Sequence, residues 1–98
     1  MKCIKIIDVL MQNKDANIVV HTGGYFYNVD DWYTENGVCY LCSSDENKKT
    51  KVIDILPFLI NCVQVNSNIK CMFAVSHTDI YDFTVDIEDD AFVLESKE

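Results

Sequence analysis

The sequence contains no arginine, so all eight of its basic residues are lysines. Against them stand 16 aspartates and glutamates, and the formal net charge is −8. A protein of this charge is repelled by nucleic acid, because a duplex carries one negative charge per about 1.7 Å of its axis. An anionic membrane surface is disfavoured for the same reason. We therefore expect no direct binding to nucleic acid or membrane, and a basic protein surface is the favoured class of partner.

Long apolar runs are also missing, since none approaches the roughly 18 residues of a membrane-spanning helix. The first residues are not followed by the apolar stretch and cleavage site of a secretory signal. The five cysteines are an odd number at irregular spacing, which indicates reduced thiols rather than a disulfide framework. We therefore expect a cytoplasmic protein. A length of 98 residues favours a single domain, residues 1–98.

Two of the cysteines have a spacing seen in metal sites. Cys39 and Cys42 resemble half of a zinc knuckle, but zinc requires four ligands and no second pair at ligand spacing follows. Residues three apart on a strand also point to opposite faces. Cys62, near a helix end, and Cys71, in a strand, are interpreted as small buried hydrophobes. The sequence therefore predicts no metal and no cofactor.

Three short strings of the first half recur in the second half, in the same order. Self-similar units often share one core, because neither unit can bury its apolar face alone. We therefore interpret the chain as a duplication, with repeat 1 at about residues 2–46 and repeat 2 at about residues 50–98. The strings are Lys5–Leu10 with Lys51–Leu56, His21-Thr22 with His77-Thr78, and Leu41-x-Ser43 with Leu94-x-Ser96.

Each repeat is predicted to be a helix followed by three strands. Apolar residues at helical spacing predict a helix at about residues 2–13, and a second helix from about Thr50 that contains Pro57. Asn36-Gly37 is a strong hairpin signal. Because strands joined by short turns pair antiparallel, the predicted fold is α+β. It is a tandem αβββ repeat whose antiparallel sheet has about six strands and two helices on one face. The predicted strands are 18–20, 25–35 and 38–43 in repeat 1, and 69–76, 81–88 and 91–96 in repeat 2.

The negative charge is concentrated at one end of the chain. Residues 76–98 contain eight acids and one lysine. Alternation on a strand places Asp82, Asp86 and Glu88 on one face, although a solvated sheet face also requires polar residues. We interpret this acidic strand as the partner-binding site. The candidate residues are Asp79, Asp82, Asp86, Glu88, Asp89 and Asp90, with Asp30, Asp31 and Glu35 from the matching strand of repeat 1.

Features of an enzyme are scarce in the sequence. It contains no nucleophile elbow, no glycine-rich phosphate loop and no arginine to hold an anion. His21 and His77 occupy equivalent repeat positions and are interpreted as strand-end residues of a repeated turn. We therefore predict a non-enzymatic protein without catalytic residues.

The first half resembles the small acidic phage proteins that inhibit Cas9, the anti-CRISPR class. The resemblance covers about residues 4–60. It lies in the short first helix followed by Asn13-Lys14-Asp15, the Asn36-Gly37 hairpin, and Tyr40-Leu41 leading into the Ser43–Asn47 loop and a second helix. The C-terminal half departs from it, with strands where those proteins add helix. The resemblance implies a DNA mimic that acts in the host cell of a phage or mobile element and occupies a basic PAM-reading or nucleic-acid channel.

Two functional hypotheses follow. The first is an acidic inhibitor that blocks a basic nucleic-acid-binding site of a CRISPR nuclease such as Cas9. The alternative is a structural or regulatory module that self-associates, for example as a homodimer, through an aromatic face or an open sheet edge. In that alternative the acidity only keeps the protein in solution.

Overall fold

The computed structural model describes residues 1–45 and 47–96. Glu46, in the predicted repeat 1, and Lys97 and Glu98, in the predicted repeat 2, lie outside these ranges. Within them the chain forms two helices and seven strands. In chain order these are α1 (Ile4–Met11), β1 (Asn17–Thr22), β2 (Tyr25–Asn28), β3 (Asp31–Glu35), β4 (Val38–Cys42), α2 (Val52–Val65), β5 (Lys70–Phe73), β6 (Thr78–Asp86) and β7 (Ala91–Ser96).

The two helices form where apolar residues recur at helical spacing. In α1, Ile6 and Leu10 are four residues apart and both are buried, as one face of a helix requires. In α2 the residue before the first turn is Lys51, not Thr50, and its backbone N–H donates to the carboxylate of Asp54 at 3.2 Å. Pro57 lies inside α2 as its sixth residue, where it removes one backbone donor, and the helix nevertheless continues to Val65.

The α+β class is confirmed, but the sheet differs from the prediction. The described residues form a seven-stranded sheet in the order β2-β1-β7-β6-β5-β4-β3. It is mixed, because β1 runs parallel to β7 and β4 runs parallel to β5. The second parallel pair arises because α2 connects β4 to β5, and a helical crossover returns the chain in its original direction. The predicted antiparallel sheet of about six strands is therefore wrong, and the tandem αβββ repeat is not confirmed.

The extra strand comes from a break in the predicted strand 25–35. Val29 and Asp30 interrupt it, so that β2 pairs with β1 and β3 pairs with β4. The Val29 N–H donates to Ile18 of β1, and the Asp30 N–H donates to Cys42 of β4. The two halves of the interrupted strand, β2 and β3, therefore lie at opposite edges of the sheet.

This two-residue link makes the sheet curl. The strands β2 and β3 stand at the two ends of the sheet order, and six strand spacings of about 4.8 Å in a flat sheet separate its ends by about 29 Å. Three peptide units span at most about 11 Å. The sheet therefore curls until its two edge strands meet end to end. The curl brings Tyr27 of β2 against Phe73 of β5, with ring centroids 5.4 Å apart.

One hydrophobic core lies between the helices and the concave side of the sheet. Both helices and the inward residues of the strands contribute to it, and its largest members have no exposed surface. Burial of such side chains stabilises the fold by about 1.5–3 kcal/mol each. The fully buried large residues include Ile6, Leu10, Ile18, Leu41, Ile55, Phe73, Ile80, Phe92 and Leu94.

Neither helix in the described part of the chain has the length and apolar character that crossing a bilayer requires.

Candidate protein-binding face

Four neighbouring strands, β2, β1, β7 and β6, present an outer face that points away from the core. Strand register places their outward residues in three rows, of which two cross all four strands and the third crosses β1, β7 and β6. We call these rows and the β6–β7 turn, residues 87–90, the acidic face. The first row is Phe26, His21, Glu95 and Asp82; the second is Asn28, Val19, Val93 and Thr84; the third contains Asn17, Ala91 and Asp86.

The first row is held together by direct side-chain contacts. The ring of Phe26 stacks on the imidazole of His21, with centroids 4.5 Å apart and planes at 18°. The Nδ1 atom of His21 lies 2.7 Å from the Oε2 atom of Glu95. Asp82 is the strand neighbour of Glu95 on the other side. This row thus runs from an exposed aromatic ring to two adjacent carboxylates.

A groove follows the rows between β2 and the β6–β7 turn. It consists of two adjoining depressions of about 220 and 470 Å³, which share Phe26, Asp86 and Val93. Glu88 and Asp89 line it from the turn. The groove therefore has an apolar floor and carboxylates along one wall. Lys49 lines the end nearest Asn17.

A β-bulge decides which side chains of β6 reach this face. The pairing with β7 shifts register between Ile80 and Asp82, so that Tyr81 is an extra residue. From Asp82 onward the alternation is regular, and Phe83 and Val85 pack against the core. Tyr81 is 49% exposed, whereas Phe83 and Val85 are partly buried.

The structure brings together five of the nine predicted site residues. Asp82 and Asp86 lie on the outer side of β6, and residues 88–90 lie in the turn that follows. Asp90 adopts a left-handed conformation with φ of 51°, and its carbonyl accepts a hydrogen bond from the Asn17 N–H at 2.8 Å. The turn is thereby attached to β1.

The other four residues lie elsewhere. Asp79 stands before the bulge, next to Met72 of β5. Asp31 and Glu35 are exposed on β3, three strands away from β6 in the sheet order. Asp30 is only 7% exposed. None of these four lies on the acidic face.

Asp30 has a structural environment of its own. Its carboxylate accepts hydrogen bonds from the Ser44 N–H and hydroxyl at 3.0–3.1 Å, and another from the Asp45 N–H. Burial raises the pKa of this carboxyl group, but these hydrogen bonds and the charge of Lys48 outweigh burial, and the net pKa is lowered. Asp30 therefore fixes the loop after β4 to the link between β2 and β3.

Sequence reasoning missed Phe26, His21 and Glu95 as members of one surface. His21 lies inside β1 rather than at a turn, whereas His77 occupies a turn with φ of 52°. The alternation of Phe92, Leu94 and Ser96 with Val93 and Glu95 indicates that Glu95 points outward. The sequence could not predict that His21 is the neighbour of Glu95 on the adjacent strand, because β1 and β7 are distant in sequence.

The aromatic stretch from Tyr25 to Tyr33 divides between core and surface. Tyr27 and Trp32 pack against the core. Tyr25, Phe26 and Tyr33 are 69%, 67% and 39% exposed. Tyr33 stacks on Tyr40 of β4 at 5.1 Å, so a second, smaller aromatic patch lies on the β3–β4 half of the sheet.

A different cluster of reactive groups lies in the core. The Sγ atoms of Cys3, Cys39 and Cys71 are all within 4.8 Å of one another, and the three residues are at most 1% exposed. Cys62 on α2 belongs to the same core and is 5% exposed. Cys42, by contrast, lies on the outer side of β4 and is partly exposed.

These thiols strongly perturb one another. Hydrogen bonds from Cys39 and Cys71 stabilise the thiolate of Cys3 and lower its pKa, in opposition to burial. The hydrogen bond to Cys3 raises the pKa of both Cys39 and Cys71.

No protein-family model, curated protein or solved structure matches this chain.

Proposed function

We propose that this protein is a non-enzymatic inhibitor that binds, through its acidic face, a basic nucleic-acid-binding surface of another protein. The observation that carries the proposal is the convergence of Asp86, Glu88, Asp89 and Glu95 around one groove, with Asp82 next to Glu95 on the adjacent strand. The resemblance of the first half to anti-CRISPR proteins points to one partner, a Cas9-type nuclease, whose nucleic-acid channels are lined by arginine and lysine.

The charge of the face supports fast and selective binding to a cationic partner. Carboxylates gathered on one side of a protein steer a basic partner toward it and raise the association rate, and salt weakens this effect. Asp82 and Asp86 are four residues apart on one strand, or about 13 Å. The line of charge is therefore long enough to meet several lysines or arginines at once.

The apolar floor of the groove supports a tight complex. Interfaces have an apolar, often aromatic centre surrounded by a polar rim, and a few central residues contribute most of the binding energy. Phe26 is exposed at such a position, stacked on His21 and beside the carboxylates. An arginine of the partner would find both a ring face and a carboxylate there.

The test compares two variants with equal charge. The first neutralises the face with Asp82→Asn, Asp86→Asn, Glu88→Gln and Asp89→Asn. The control neutralises four exposed acids elsewhere with Asp15→Asn, Asp31→Asn, Glu35→Gln and Asp79→Asn. Binding to a guide-loaded Cas9-type nuclease is measured at two salt concentrations.

We expect the face variant to bind at least tenfold more weakly, with a flatter salt response, and the control to stay close to the wild type. Equal losses in both variants would indicate a general charge effect and would contradict a defined binding face. Failure of the wild type to bind any such nuclease would exclude this partner.

A second candidate function is self-association through β2. This strand is an edge of the sheet, and it exposes the two large aromatic residues Tyr25 and Phe26. Exposed edge strands with such residues tend to pair with another chain. Light scattering over a range of concentrations tests this, and a monomer at every concentration would contradict it.

We also infer that the chain arose by duplication of a helix-led unit. The matching strings Lys5–Leu10 and Lys51–Leu56 both fall at helix starts. The first strand after each helix pairs antiparallel with the next strand and parallel with the last strand of the other half. Homologous sequences that retain both matching strings at these positions would support the inference, and their divergence would count against it.

A further inference from the structure

The cysteine cluster is assembled from four distant segments that rigid elements hold in place. Cys39 and Cys71 are register neighbours on the parallel strands β4 and β5, and both point into the core. The N–H of Cys3 donates to the carbonyl of Ile69 at 2.9 Å, immediately before β5. Cys62 approaches from α2 and is 5% exposed. The Sγ atoms of Cys3, Cys39 and Cys71 already lie within 4.8 Å of one another.

The spacing of the sulfurs suits a tetrahedral metal ion. Zinc binds thiolates at about 2.3 Å, which places the sulfurs of a tetrahedral site about 3.8 Å apart. The Sγ atoms of Cys3, Cys39 and Cys71 lie within 4.8 Å of one another, so they need to approach each other only slightly to reach that distance. A disulfide, in contrast, would require an S–S distance of about 2.05 Å.

The ligand set also suits zinc. Structural zinc sites are closed and four-coordinate, and four cysteines form one of their common ligand sets. Cys62, on α2, is 5% exposed and belongs to the same core; it is not among the three sulfurs that lie within 4.8 Å of one another, so it has to move toward them to serve as the fourth ligand. Soft thiolate ligands in an apolar, water-excluded pocket disfavour magnesium and calcium, which prefer oxygen.

We propose that Cys3, Cys39, Cys62 and Cys71 form a structural zinc site that ties the start of α1 and the C-terminal part of α2 to β4 and β5. The site is independent of the acidic face, since its ligands lie in the core. Binding releases the thiol protons and leaves four thiolates on the ion. Because metal binding to the folded state adds to the stability of the fold, we expect chelation to lower the melting temperature.

The first experiment uses the wild-type full chain. The protein is purified under reducing conditions with zinc in the medium and dialysed against a weak chelator, and its metal content is measured. We expect about one zinc per chain. Replacement by Co²⁺ should give a thiolate-to-cobalt charge-transfer band and the visible absorption of a tetrahedral site. A folded wild-type protein that retains no zinc and gives no such cobalt spectrum overturns the proposal.

The second experiment compares Cys71→Ser with the matched control Cys42→Ser. Cys42 lies at the end of β4, is partly exposed and is outside the cluster, so its variant should retain zinc fully. Cys71→Ser should lose zinc binding by at least tenfold, and circular dichroism reports whether it folds. If it does not fold, the cobalt spectrum of the wild type alone decides. A mass decrease of two hydrogens in the protein as purified under reducing conditions, located to cluster cysteines, would reveal a disulfide instead and also overturns the zinc site.

Discussion

His21 on β1 and Glu95 on β7 are register neighbours on two parallel strands, and the Nδ1 and Oε2 atoms of their side chains are 2.7 Å apart. The two residues are 74 positions apart in sequence. Their contact joins the aromatic side of the acidic face to its carboxylate side. The exposed ring of Phe26, which stacks on His21, and the carboxylate of Glu95 therefore belong to one continuous surface.

The contribution of this pair to stability should be small. The two side chains are 33% and 24% exposed, and pairs with such access to water typically contribute about 0.2–1 kcal/mol. A double-mutant cycle with His21→Gln and Glu95→Gln, measured by urea unfolding, should give a coupling energy in that range. A coupling above about 2 kcal/mol would show that the pair is a structural element rather than part of a binding surface.

The neighbouring Phe26 should matter for binding and not for folding. It is 67% exposed, so Phe26→Ser should change the free energy of unfolding by no more than about 0.5 kcal/mol. If it is a central residue of the proposed interface, the same change should weaken binding about tenfold or more. The matched control is Tyr25→Ser, on the same strand and equally exposed but pointing to the other side of β2. Equal effects on binding from both changes would argue against the groove as the contact.

Asp30 should make stability depend on pH. Its folded-state pKa is lowered, because hydrogen bonds from Ser44 and Asp45 outweigh burial. The stabilisation is therefore fully present above the unfolded-state pKa of about 3.9 and is lost as the pH falls through the lower, folded-state value. At pH 7, Asp30→Asn should cost about 1–3 kcal/mol.

The exposed neighbour of Asp30 provides the control. Asp31→Asn should change stability little, because Asp31 is exposed and its carboxylate accepts a hydrogen bond from its own neighbour, the Trp32 N–H. Unfolding in urea should show that the difference in free energy of unfolding between Asp30→Asn and the wild type becomes smaller as the pH approaches 3. A difference in free energy of unfolding that does not depend on pH would mean that the lost stability comes from packing and not from the charge of Asp30.

The hairpin between β3 and β4 depends on two residues with positive φ, Asn36 at 52° and Gly37 at 76°. A Cβ atom at Gly37 would meet only the side chain of Asn66, at an ordinary 3.7 Å. The cost of Gly37→Ala is therefore conformational, and we expect about 1–2 kcal/mol. Gly37→Asn should cost less, since asparagine tolerates this conformation better. Equal costs would indicate a steric origin instead.

Local signals in the sequence were sufficient for the hairpin, the helix around Ile6 and Leu10, and the outward placement of Asp82 and Asp86. Each depends on residues a few positions apart, whose spacing decides the turn or the face. The break at Val29–Asp30 has no such signal, because an alternating aromatic strand continues on both sides of it. The change of partner strand there, from β1 to β4, is visible only in the tertiary structure.

By itself the sequence determined the α+β class, the position of both helices and the concentration of acid near the C-terminus. These follow from periodicity and charge, which act over short distances along the chain. The tertiary structure alone decided the parallel pairs, the contact of His21 with Glu95 and the meeting of Cys3, Cys39 and Cys71. Those contacts join segments 30 or more residues apart, and burial in a shared core, rather than any local pattern, brings them together.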